Sequence, residues 1–194
     1  MKSKKKVFVT VLCAAALVVA SVLGTMAYLT SQTETVTNTF TVGNVAITLD
    51  ENDVTPMGVK DTDVRVQGNE YKLIPGHEYT KDPTVHVTAG SEDSWLFVKV
   101  DNGISDLEAT GNTTIAEQMK AKGWTLVNGT TNVYAYEQKA TAGQNIRVFD
   151  SFTIAGDATV AGNAGKTITI EAYAIQADGF DTAAEAWTAA PAWN

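Results

Sequence analysis

Alternation of apolar and polar positions dominates the chain after residue 33. In "TVTNTFTV", Val36, Phe40 and Val42 fall on one face and Thr35, Thr37, Thr39 and Thr41 on the other, the pattern of a half-buried strand. Parity changes at Gly43-Asn44, because Val45, Ile47 and Leu49 are apolar at odd positions. A glycine bulge or tight turn there supplies the extra residue that swaps faces. "YKLIPG" reads as a strand ended by the Pro75-Gly76 turn, and "PTVHVT" sets Val85 and Val87 against Thr84, His86 and Thr88. "SWLFVKV" is apolar on both faces, which predicts a central strand. Further strands are expected over 124–127, 133–138 and 145–154, and from "TITIEAYAIQA" through Gln176. Residues 50–69, "DENDVTPMGVKDTDVRVQGN", are acidic and irregular and read as a long surface loop, with at most a short strand at 64–66. Two short helices are expected. "TTIAEQMKAKG" places Ile115 and Met119 on one face, with Thr113 or Thr114 as N-cap and Gly123 as stop. "DTAAEAW" is the second, capped by Asp181 or Thr182. No βαβ rhythm appears, so the strands are expected to be antiparallel. The class is all-β, an antiparallel β-sandwich of jelly-roll or Greek-key type.

The first residues follow a different pattern. Lys2, Lys4, Lys5 and Lys6 precede an uncharged apolar run over 7–23, about the length of a signal-peptide core. Thr25-Met26-Ala27 places small residues where a signal peptidase needs them, so cleavage is expected between Ala27 and Tyr28. An uncleaved N-terminal anchor is the alternative. The organisation is then 1–27 signal peptide, 28–35 free N-terminal strand and 36–194 sandwich domain. Cys13, the only cysteine, lies inside the leader and lacks a lipobox, because Leu12 precedes it. Disulfides, thiol nucleophiles and cysteine-ligated zinc are thereby excluded from the mature chain. Loss of the four leader lysines and no acid takes the formal charge from −8 to −12. Such a chain repels nucleic acid and anionic lipid, and no membrane contact is expected after cleavage. "AWTAAPAWN" carries no sortase-type signal, so covalent wall anchoring is not expected.

Candidate chemistry is sparse. His77 and His86 are the only histidines, and "HEYTKDPTVH" is not HExxH, since Lys81 stands four after His77. The Pro-Gly turn and Pro83 also forbid the helix that a zinc-binding pair needs. His86 reads as a cross-strand surface residue and His77 as a turn residue. No G-x-S-x-G elbow is present. Asp50-Glu51-Asn52-Asp53 and Asp61-Thr62-Asp63 offer carboxylates for a weak Ca²⁺ site without an EF-hand loop. Tyr134 and Tyr136 share a strand face, and Trp187 and Trp193 stand near the end. Such aromatics stack on sugars when exposed, or fill a core.

"GTMAYLTSQTETVTNTFTVGNVAITLDE" resembles the start of the TasA/camelysin family of exported Gram-positive proteins, processed by a signal peptidase of the SipW type. The resemblance rests on Gly24-Thr25, on Ala27 followed by an aromatic, on Asn38-Thr39-Phe40 and on Val42-Gly43-Asn44-Val45. "LIPGHEYTKDPTVHV", "SEDSWLFVKVDN" and "YAIQADGFDTAAEAW" are similar to later family segments. It implies a jelly-roll domain and, as in the best-known members, filaments of the biofilm matrix. In those filaments the leading segment of one subunit completes the sheet of the next. The assembly strand here would comprise Tyr28, Leu29, Thr30, Thr33 and Thr35, with Val36 or Phe40 buried on pairing. Cleavage after Ala27 would free it. The expectation is a non-enzymatic, cofactor-free structural protein, secreted to the surface or matrix of a Gram-positive bacterium. Its partners are the signal peptidase and either itself or a related fibre subunit. The alternatives are a monomeric surface adhesin or carbohydrate-binding module and, more distantly, a camelysin-like metallopeptidase.

Overall fold

The structure, a computed structural model, describes residues 43–111 and 113–193. Its elements are β1 (Ile47–Val54), β2 (Lys60–Val66), β3 (Glu78–Thr80), β4 (Thr84–Val87), β5 (Ser94–Asn102), α1 (Ile115–Ala121), β6 (Trp124–Leu126), β7 (Val133–Tyr136), β8 (Asn145–Arg147), β9 (Ser151–Thr153), β10 (Ile168–Gln176) and α2 (Ala183–Ala189). They form two four-stranded sheets, ordered β2-β1-β4-β8 and β10-β5-β7-β6, and a small pair, β3-β9. Every pairing among the described residues is antiparallel. The described residues form an all-β sandwich with two short helices.

The double-faced run in β5 explains the layering. Leu96, Val98 and Val100 point into the core between the sheets, where they meet Val85 and Val87 of β4 and Ile146 of β8. Trp95 and Phe97 point the other way, into a second cluster closed by Ala186 and Trp187 of α2. A strand covered on both faces has little place for polar side chains, hence the unbroken apolar run over Trp95–Val98. Thr182 caps α2 in a reciprocal capping box with Glu185. Thr114 caps α1 by accepting from the Glu117 N–H, and Gly123 ends that turn at φ +84°.

Three expectations are corrected. Residues 50–69 are not a long loop, because β1 and β2 form a hairpin across most of the segment. Their charges read as solvating but are engaged within the sheet. Asp50 meets Arg65 and His86, Asp53 accepts from the Thr62 hydroxyl, and Glu51 turns inward to Lys81. The 145–154 run is two strands in different sheets, with β8 on β4 and β9 on β3. Val148 and Phe149 are both buried at the break, and such consecutive burial cannot be met by a strand of period two. The "YKLI" segment before the Pro75-Gly76 turn is not a strand; Tyr71 and Leu73 pack on the core from irregular chain.

Candidate functional site

The edges of the two main sheets differ in how well they resist further pairing. β2 is guarded by Lys60, Asp61, Asp63 and Arg65, whereas β6 and β8 are three residues each. β10 is the exception. It is nine residues long and carries one charge, Glu171. It pairs with β5 along its whole length, from Ile168↔Asn102 to Gln176↔Ser94. Among the described residues no strand pairs with its other edge. The inner face of β10, Ile168, Ile170, Ala172 and Ala174, packs on the core but stays only half-buried. A cavity of about 600 Å³ opens beside Ile168, walled by Tyr71, Lys81, Ile104, Phe152 and Val160.

The chain enters the domain at the far end of this edge. Glu92 N–H donates to the Asn44 carbonyl at 2.9 Å, and Ala46 N–H to Ser91 Oγ at 3.2 Å. One residue on, the Asp93 carbonyl accepts from Ala177 N–H at 2.7 Å, just past the end of β10. A Cβ on Gly43 would stand 2.8 Å from Glu92 Cγ, so a larger residue there would make the exposed Glu92 side chain shift. Asn44 therefore lies near the Gln176 end of β10. The expected assembly residues Tyr28, Leu29, Thr30, Thr33, Thr35, Val36 and Phe40, and the Ala27–Tyr28 junction, lie outside the described residues.

The histidines stand on separate elements. His77 precedes β3, and its Nε2 lies 2.9 Å from the Met57 carbonyl. His86 lies in β4, with Nε2 2.7 Å from Asp50 Oδ1 and Nδ1 2.6 Å from Asn145 Oδ1. Among the described residues no three His, Cys, Asp or Glu side chains gather as metal ligands would. Partial burial pushes the Asp50 carboxyl up, but hydrogen bonds and charge from Arg65 and His86 outweigh it and hold it below the ordinary range. A carboxylate with a lowered folded value stabilises the fold above its unfolded value, near about 4, and that contribution is lost as pH falls through the folded value. Asp50→Asn is expected to cost about 1–2 kcal/mol at neutral pH. It should also flatten the acid limb in urea unfolding read from pH 7 down to pH 2; an unchanged limb would remove Asp50 from the account.

The aromatic residues do not form one exposed row. Tyr134 and Tyr136 face the main core, and the Tyr136 ring lies 5.2 Å from Trp124. Trp187 and Trp193 cover the opposite face of the same sheet. Trp187 sits 5.0 Å from Phe97, and Trp193 sits 6.0 Å from Tyr173 and donates to Glu171 at 2.9 Å.

The sequence pattern gave no charge-pairing role to Asn69, Lys81 and Asp82, which organise the charges of the first sheet. Asp82, 2% exposed, accepts from the backbone and side chain of Asn52 and faces Arg65 and Arg147. The only signal was a Lys-Asp pair set between β-forming residues in "YTKDPTV". Comparison with family models, with curated proteins and with solved structures finds no match for this chain.

Proposed function

We propose that the protein is an exported, non-enzymatic structural subunit of fibres at the surface or in the matrix of a Gram-positive bacterium. The subunit is a jelly-roll sandwich, and the released leading strand, residues 28–35, adds to a neighbouring subunit. The observation that carries this reading is the long, nearly uncharged β10 edge with its half-buried inner face. An added strand would satisfy that edge's backbone donors and acceptors and cover Ile168 and Ile170. The contact is heterologous, so it propagates instead of closing. Asp50, Glu51 and Asp63 already meet Arg65, Lys81 and Lys60, which favours a reading without a bound cation.

The test compares chains starting at Tyr28 and at Val36 by size exclusion and electron microscopy. Filaments are expected from the longer chain and monomers from the shorter. Two monomeric species at high concentration would overturn the proposal.

A further inference from the structure

Glu51, Asn69 and Lys81 converge beneath the aromatic residues at one end of the sandwich. Glu51 is 4% exposed and Lys81 7%. Lys81 Nζ donates to Glu51 Oε2 at 2.5 Å, and Asn69 Nδ2 donates to Glu51 Oε1 at 2.9 Å. One carboxylate thus holds an amine and a carboxamide on its two oxygens. The β1–β2 register slips between Asn52 and Val54. There Asn69 Nδ2 also donates to the Asn52 carbonyl at 2.9 Å, while Asn69 Oδ1 accepts from the Val54 N–H at 2.9 Å. Both ends of the carboxamide are fixed, and its carbonyl is polarised by a backbone donor. Tyr71, Tyr79 and Phe152 wall the site, with Tyr79 and Phe152 stacked at 4.9 Å and Lys81 Nζ 5.9 Å from the Tyr71 ring. Burial, with Glu51 and Asp82 adding to it, pushes the Tyr71 phenol well up, so this wall stays uncharged.

We propose that Lys81 and Asn69 become joined by an intramolecular amide cross-link, with Glu51 as the proton carrier. Lys81 gives a proton to Glu51, and the freed amine attacks Asn69 Cγ to form the new C–N bond. The Val54 N–H steadies the charge that gathers on Oδ1, as an oxyanion donor does. Glu51 hands the proton to Nδ2, the Cγ–Nδ2 bond breaks, and ammonia leaves. A second proton follows from Nζ by the same carboxylate. An ammonium side chain and a carboxamide therefore give an amide and an ammonium ion, and Glu51 ends unchanged. No redox partner is needed. Fixed reactants and a positioned acid–base are what such a slow amide exchange requires. The cavity lined by Asn69 and Lys81 is the route out for ammonia. The described domain contains no cysteine, and this bond would close the loop between the end of the β1–β2 hairpin and the segment leading into β4. The cross-link does not depend on fibre formation.

Mass spectrometry of the purified full chain tests it. The intact protein is expected to be lighter than its sequence by one ammonia. Trypsin should fail to cut after Lys81, and a branched peptide should join residues 66–72 to 73–99 through Asn69 and Lys81. Glu51→Gln and Lys81→Arg, the latter keeping the positive charge, should both give linear peptides at full mass. Full mass with cleavage after Lys81 in the wild type would overturn the proposal, leaving Asn69 as a purely structural patch on the irregular ladder. Ammonia loss mapping only to Asn128-Gly129, a pair prone to cyclise, would overturn it equally. A branched peptide that persists in Glu51→Gln would remove Glu51 from its role.

Discussion

Trp124→Ala is expected to lose about 3–5 kcal/mol of folding stability, a large part of the 5–15 kcal/mol typical of a domain. Trp124 is 1% exposed and among the largest fully buried side chains. It opens β6, the edge of one sheet, and its indole N–H donates at 3.0 Å to the carbonyl of Arg147 in β8, the edge of the other. One side chain therefore ties the two sheets together along this margin of the sandwich. Gly123, at φ +84°, turns the chain out of α1 so that the indole falls inward against Tyr136. Truncation removes the buried area, the aromatic contact and the bond between sheets at once. Trp124→Phe keeps most of the area and frees a carbonyl whose residue is exposed, so its cost should be nearer 1 kcal/mol. Urea unfolding followed by far-UV circular dichroism should rank wild type, Trp124→Phe and Trp124→Ala in that order. Equal losses for the two variants would mean that the hydrogen bond, not the packing, holds this margin.

The contrast between the two margins explains what could be read from the chain. Strand β5 was legible because the apolar run Trp95–Val98, followed by Val100, has few other uses in an all-β chain. Both helices were legible because Thr114 and Thr182 cap them through local bonds to residues three positions on. The β1–β2 hairpin was not, because its acids are matched by partners far along the chain: Glu51 by Lys81 and Asp50 by His86. Without those partners, an acidic stretch with a Pro and a Gly looks solvated. The same limit applies to Tyr134 and Tyr136, whose shared face is visible in the spacing. That this face turns to the core depends on where β5 and β6 lie beside β7. That β10 ends its sheet among the described residues is likewise a property of strand order, so nothing in "ITIEAYAIQ" distinguishes it from an interior strand.

Glu51→Ala should be the second variant with a loss of about 3–5 kcal/mol, for an electrostatic reason. Lys81 is 7% exposed, and its ammonium would keep only the Tyr71 face at 5.9 Å once the carboxylate is gone. Asn69 would lose a partner on the same oxygen pair and keep only the Asn52 carbonyl for its amide. The intact pair need not itself be stabilising, since desolvation offsets much of the attraction between buried charges. The sharper expectation is therefore comparative. Glu51→Leu/Lys81→Met replaces both charges with apolar side chains of similar size, and neither it nor Glu51→Ala can form the Lys81–Asn69 bond. The double variant should unfold at a higher urea concentration than the single one, although it carries one more substitution. If the two unfold together, an unpaired Lys81 charge is not the source of the cost, and the Lys81 ammonium finds water through the neighbouring cavity that Lys81 helps to line.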